Sequence, residues 1–177
     1  GQDYTFNYYN PFYTQTGVGR GFDAYFQTVD PKHLDVSSYS SDRFGGDVNY
    51  NVPLGEKGGV QFGYGYQGLR IQSVGRVEQI QNFVNTYGRD FNELRLTAGW
   101  NRNSYDQMPY PMKGVNQQAG LLFALPATSE SLNYYKASYQ ARLYYPLIRG
   151  FIFTALGNVG YGNTYKQQGL PFFENYF

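Results

Sequence analysis

Few residues in this chain could carry chemistry, and they are scattered. His33 is the only histidine of the 177 residues, and it stands close to Asp35. An imidazole beside a carboxylate could serve as a base or as a metal ligand. With no second histidine and no cysteine to complete a coordination shell, no metal site can be assembled around it. His33 therefore reads as a solvated loop residue. There is no Gly-Xaa-Ser-Xaa-Gly, no phosphate loop and no convincing triad, since any triad would depend on that one histidine. The sequence thus offers no catalytic, cofactor-binding or metal-binding residues, and the chain does not read as an enzyme.

The remaining candidates are charges set in alternating segments. Glu93-Leu-Arg-Leu-Thr-Ala-Gly-Trp-Asn101 sends Leu94, Leu96, Ala98 and Trp100 one way and Glu93, Arg95 and Asn101 the other, as the two-residue period of a strand requires. The same pattern sets Phe44, Val48, Tyr50 and Val52 against Arg43, Asp47, Asn49 and Asn51. It sets Phe62, Tyr64 and Tyr66 against Gln61, Gly63, Gly65 and Gln67. It sets Ala137, Tyr139, Ala141, Leu143 and Tyr145 against Lys136, Ser138, Gln140 and Arg142. Stretches near 3–10, 17–29, 114–126 and 150–164 repeat it less cleanly. About eight strands result, each long enough to meet the ~9–11 residues that a tilted transmembrane strand needs.

Composition agrees with strands that cross a membrane. Aromatic residues make up 20% of the chain, with 20 Tyr and 14 Phe, and there are 22 Gly. Mean hydropathy is −0.55, which would suggest a soluble protein if averaged hydropathy could see spanning strands. It cannot, because outward and inward residues alternate and cancel. Charges on a lipid face would cost roughly 2–4 kcal/mol at the midplane. The expected division is therefore Leu94, Leu96, Ala98, Trp100, Phe62 and Tyr64 toward lipid, and Glu93, Arg95, Asp47, Arg142 and Lys136 toward the lumen, as mutually paired charges that support the wall. Phe12, Tyr13, Tyr50, Tyr135, Tyr139 and Tyr145 read as an interfacial aromatic girdle, and Arg20 as a strand residue near the membrane boundary. A net charge of +1 gives no field for nucleic acid. The N-terminus lacks a charged and an apolar leader region, so a mature protein or an internal fragment is expected.

The connections alternate in kind. Asn10–Gly17, Pro53–Gly59, Gln107–Gly114 and Pro146–Gly150 are compact and rich in turn formers. Asp30–Ser40 and Gly75–Asp90 are longer and polar, with a short Ala127–Ser131 on their side. That asymmetry is the one found between the periplasmic turns and extracellular loops of outer-membrane barrels. Within 76–87, Val77, Ile80, Val84 and Tyr87 recur at helical spacing, which predicts a short helix, and Gly88 is placed to stop it.

Several segments, in order, resemble the BamA family of outer-membrane assembly factors. Asn10-Pro-Phe-Tyr-Thr-Gln-Thr-Gly17 resembles that family's Asn-Pro-aromatic turn, and Gly21-Phe-Asp-Ala-Tyr-Phe26 its next strand. Trp100-Asn-Arg-Asn-Ser-Tyr-Asp106 with Tyr110-Pro-Met-Lys-Gly114 resembles a strand and the turn that closes it. Leu170-Pro-Phe-Phe-Glu-Asn-Tyr-Phe177 resembles the approach to the loop that folds back into the barrel. The resemblance covers essentially the whole chain. It implies an all-β, antiparallel transmembrane barrel in which residues 1–177 form one incomplete domain, a middle run of a sixteen-stranded wall, in the outer membrane of a Gram-negative bacterium. It further implies an insertase for β-barrel proteins whose partners are outer-membrane lipids, accessory lipoproteins and nascent outer-membrane proteins, with its activity at a seam and an inward loop outside this segment. The family's Arg-Gly-aromatic motif follows the Phe-Glu-Asn-Tyr block, whereas Gly19-Arg-Gly-Phe22 precedes it, so that role does not pass to Arg20.

One rival from another class is a complete small barrel of eight strands, serving as an anchor or narrow pore. Pro171 argues against it, because it would break the pairing of a closing terminal strand.

Overall fold

Alternation of this kind can only be satisfied by strands, and strands that carry it along most of their length must find partners on both sides. A computed structural model describes residues 1–29, 39–74, 81–82, 84–85, 88–126, 133–148 and 150–165. It contains β1 (Gln2–Asn10), β2 (Gly19–Val29), β3 (Tyr39–Pro53), β4 (Gly58–Val74), β5 (Asp90–Asn103), β6 (Gly114–Pro126), β7 (Tyr134–Ile148) and β8 (Phe151–Thr164). Each strand pairs antiparallel with the next, in sequence order, to make one eight-stranded sheet. The fold is the all-β meander the sequence implies.

Turn chemistry sets the hairpins. In the β1–β2 turn, the Asn10 Oδ1 accepts the Phe12 N–H at 3.0 Å, and the Thr14 Oγ1 accepts the Val18 N–H at 3.1 Å. Gly17 turns the chain at φ 83, a left-handed conformation that favours glycine. The β5–β6 connection begins earlier than its sequence suggests. Ser104 N–H donates to the Val115 carbonyl at 2.9 Å, and Asp106 N–H to the Lys113 carbonyl at 3.0 Å, so the hairpin narrows well before its tip.

A single row of paired residues runs through Tyr8, Phe22, Val48, Tyr64, Leu96, Phe123, Tyr135 and Asn163. Tyr8 lies near the turn end of β1, whereas Tyr135 lies at the opposite end of β7. Strands that slide past one another in this steady sense must run oblique to the axis of any barrel they help to build. Among the described residues β1 pairs only with β2, and β8 only with β7. The sheet is open, and these strands do not close on themselves as the small-barrel alternative requires.

Glycine makes room for aromatic rings. A side chain on Gly68 would collide with the Phe44 ring, and one on Gly45 with the Tyr25 phenol. The few buried apolar residues, Leu69, Ile71, Val84, Phe91, Ala124 and Tyr134, all lie toward the long-loop end. Residues 81, 82, 84 and 85 are helical, and the Gly88 N–H closes on the Val84 carbonyl at 2.9 Å with φ 85. The helix expected in this loop is therefore present at these positions, with Val84 buried and Gly88 at its end. Val77, Ile80 and Tyr87 lie outside the described residues, as do His33, Asp35 and the segment Gly169–Phe177.

Candidate functional site

Register decides which side chains share a face. Asp23, Asp47, Gly65, Arg95, Ala124 and Tyr134 fall in one row. The next row on that face holds Tyr25, Gly45, Gln67, Glu93 and Pro126. Lys136 lies in a neighbouring row with Thr97, Leu122 and Gly162, and Arg142 farther along with Asn103 and Asn116. Glu93, Arg95, Asp47, Lys136 and Arg142 thus occupy one face. Leu94, Leu96, Ala98, Trp100, Phe62 and Tyr64 occupy the other.

The polar face holds a network of hydrogen bonds that cross strands. Gln67, only 4% exposed, receives two donors on its Oε1: the Tyr25 hydroxyl at 2.8 Å and the Arg95 Nη1 at 2.7 Å. The Tyr134 hydroxyl donates to the Glu93 Oε1 at 3.2 Å, and both residues are buried. Asn49 Nδ2 donates to the Asp23 Oδ2 at 2.9 Å. Gly65 stands between Asp47 and Arg95 in the register, and a side chain there would run into the Asp47 carboxylate. Its lack of a Cβ lets that carboxylate lie over the neighbouring strand, toward the guanidinium.

Past the end of β8, the Tyr165 hydroxyl shares its one proton between the Tyr134 carbonyl at 2.8 Å and the Ala124 carbonyl at 3.2 Å. Burial pushes the Tyr165 phenol up.

The structure brings Glu93, Arg95 and Asp47 together and leaves Lys136 and Arg142 in other rows. It also alters how the charges are held. Arg95 and Glu93 each bond to a neutral side chain, Arg95 to Gln67 and Glu93 to Tyr134. Among the described residues the single salt bridge is Arg70 to Asp90, 2.5 Å apart and exposed, near the long-loop end. Sequence reasoning missed Tyr25 and Tyr134 because tyrosine was assigned to a girdle. Their signal was available in the alternation, since both stand where a strand otherwise places polar residues.

The opposite face is continuous and apolar. Tyr8, Phe22, Val48, Tyr64, Leu96, Phe123 and Tyr135 form one of its rows. Phe62, Tyr64, Leu94, Leu96, Tyr139 and Tyr145 are 42–54% exposed. Arg20 lies on this side, paired with Asn10 and Tyr50, at the turn end where a boundary residue was expected.

The turn end has its own anchor. The Asp106 Oδ1 accepts the backbone N–H of Gln107, Met112 and Lys113 at 3.0, 3.0 and 3.1 Å. The Lys113 amide, then the others, hold its carboxyl below the usual carboxylate range.

Among the described residues no cluster of His, Cys, Asp and Glu could hold a metal, and no helix is long and apolar enough to cross a membrane, a statement that leaves spanning strands untouched.

Comparisons with known proteins add to this geometry. Residues 1–177 match the Omp85 superfamily domain. The chain is 27% identical over 180 residues to the outer membrane protein assembly factor BamA of Neisseria meningitidis serogroup B, across 95% of this chain and 22% of that protein. The crystal structure of BamA from Haemophilus ducreyi lacking POTRA domains 1–3 has the same fold, with a TM-score of 0.86 at 21% identity, across 98% of this chain and 35% of that one. The chain spans less than a quarter of the curated relative and about a third of the solved structure.

Proposed function

The chain belongs to the Omp85 superfamily, and from that premise we propose that it forms the central wall of a transmembrane barrel in a Gram-negative outer membrane, within a protein that folds and inserts other β-barrel proteins. The observation that carries this reading is the two-faced sheet. One face is apolar from β1 to β8, and the other holds a buried polar network. In lipid, backbone groups must be satisfied internally, and the ladders of this sheet do that for every strand with a neighbour on each side. Leu94, Leu96, Ala98, Trp100, Phe62 and Tyr64 face lipid, while Glu93, Arg95, Asp47, Lys136 and Arg142 face the lumen.

The wall's role is mechanical. The network braces β2 to β5 across the strands, so the barrel yields elsewhere, at a seam beyond these residues where a nascent outer-membrane protein is admitted. Accessory lipoproteins act on the same assembly. No cofactor and no bond-making chemistry enter this role.

The test compares the complete protein with residues 1–177 in liposomes, reading the folding rate of an added unfolded outer-membrane protein. Acceleration by the complete protein, with the segment no faster than empty liposomes, is the expected result. Equal acceleration by the segment would place the activity in the wall. Face assignment is tested separately. The chain has no cysteine, so a fluorophore on L96C or R95C can be quenched by brominated lipid; position 96 should quench strongly and position 95 weakly, and the reverse would overturn the assignment.

A further inference from the structure

Arg20 is out of place on its face. The register sets it in line with Asn10, Tyr50, Phe62, Ala98 and Leu121, a row otherwise free of charge. Its guanidinium carbon lies 3.9 Å from the centre of the Tyr13 ring and 4.8 Å from that of Phe22. Tyr13 is itself held edge-on against Tyr50, with ring centres 6.2 Å apart, and Phe22 against Tyr8, also at 6.2 Å. Two braced rings therefore hold the cation. Among the described residues no carboxylate forms an ion pair with it, and the β1–β2 turn contains no Asp or Glu.

An arginine presents five N–H donors in the plane of its guanidinium. Aromatic rings engage the faces of that plane and leave donors at its edge unused. The Nε is shielded from solvent and has no acceptor, so the side chain has its own protein as a floor and no anion as a partner. Its row places it beside the turn that joins β1 to β2, at the boundary of the apolar band, where phosphate-bearing headgroups sit and where a planar fork suits phosphate oxygens.

We propose that Arg20, held by Tyr13 and Phe22, binds the phosphate of a membrane lipid headgroup at the turn-side edge of the wall. This rests on the apolar face being the lipid face. The chemistry recognised is a phosphate ester oxygen, and the source is a lipid whose acyl chains lie along Tyr8, Phe22 and Tyr50 rather than phosphate free in solution.

The experiment uses the complete protein in detergent, with retained lipid read by native mass spectrometry after exposure to phosphatidylglycerol, to an uncharged galactolipid of matched chains, or to excess inorganic phosphate. Wild type should retain phosphatidylglycerol about tenfold more than R20Q, the size expected for losing a charge-assisted hydrogen bond. R20K should fall between them, and the galactolipid should show no difference between variants. Equal retention by R20Q, or equal retention of the galactolipid by wild type, overturns the proposal. Displacement of the lipid by inorganic phosphate at comparable concentration overturns the assignment to a lipid source. Y13L keeps the charge and removes one ring, so it serves if R20Q does not fold. Reduced retention is expected of Y13L, and unchanged retention overturns the proposal. The L96C quenching measurement is independent of Arg20. Strong quenching there with no phosphate preference would sink the Arg20 site alone, whereas absent quenching would sink the lipid-face reading beneath it.

Discussion

The polar face of β2 to β5 and the same face of β6 to β8 are built on different principles. Across β2 to β5, Tyr25, Gln67 and Arg95 bond over strands, Asp47 lies over the neighbouring strand, and glycines at 45 and 65 clear the way for them. Across β6 to β8, the rows read Gln118, Gln140 and Asn158, then Gly120, Ser138 and Gly160. These two rows carry short or neutral side chains, while Lys136, Arg142 and Tyr134 stand in other rows of the same face. The ladders run the length of both halves, with one register shift near Ser40 and one near Pro146. The first half is tied by side chains along the middle of its strands, while in the second such ties gather at the long-loop end, around Tyr134 and Tyr165, and the rest relies on backbone pairing. A network of this kind is also vulnerable, because removing one member strands the others in a site with little water.

The largest break in that contrast should come from R95L. It takes the guanidinium away from Gln67 and from the row it shares with Asp47, and loss of one partner of a buried charge group costs roughly 3–5 kcal/mol. R142L removes a charge of the same sign from an exposed position and should stay within about 0.5 kcal/mol. Urea unfolding in detergent, read by the heat-dependent gel shift of a folded barrel, measures both. Equal losses would mean that the network does not brace the first half.

A smaller effect is expected from glycine replacements. G65L would push a side chain into the Asp47 carboxylate, and such overpacking costs roughly 1–3 kcal/mol. At Gly157 in β8 an added Cβ meets nothing within 4 Å, and G157A should be neutral or stabilising by up to about 1 kcal/mol. The same unfolding measurement separates them, and a destabilising G157A would show that the second half is as tightly fitted as the first.

The smallest effect concerns acid. Asp106 has its pKa depressed in the folded protein, so it contributes stability above its unfolded pKa and loses that contribution as pH falls through the lower folded value. The turn 104–113 should therefore loosen on acidification below the ordinary carboxylate range while the β3–β4 turn does not. Amide hydrogen exchange at Met112 and Lys113, against Lys57, reads this, and in D106N the difference between neutral and acid should vanish. Exchange that is insensitive to pH in the wild type, after correction for intrinsic rates, would remove Asp106 as the anchor.

Much of this architecture was written in the chain. Alternation alone placed eight strands and separated Leu94, Leu96, Ala98 and Trp100 from Glu93 and Arg95, because side-chain direction in a strand follows from local geometry with a period of two, while length and turn-forming residues distinguished turns from loops. Gly88 as a helix stop was legible for a similar local reason. What parity could not give was which residues of one face meet. Asp47, Gly65 and Arg95 come together only through the registers of β3 with β4 and β4 with β5, and register is a property of paired strands that no single strand encodes. Parity does set Tyr135 on the apolar face and Tyr134, its neighbour, on the polar one, but that Tyr134 meets Glu93 depends on register. The fold of the β1–β2 turn brings Tyr13 onto Arg20, which already neighbours Phe22 on its own strand. The sequence determined the two faces, and only the tertiary structure decided who stands beside whom on each, because contact across strands depends on how far each one slides against its neighbour.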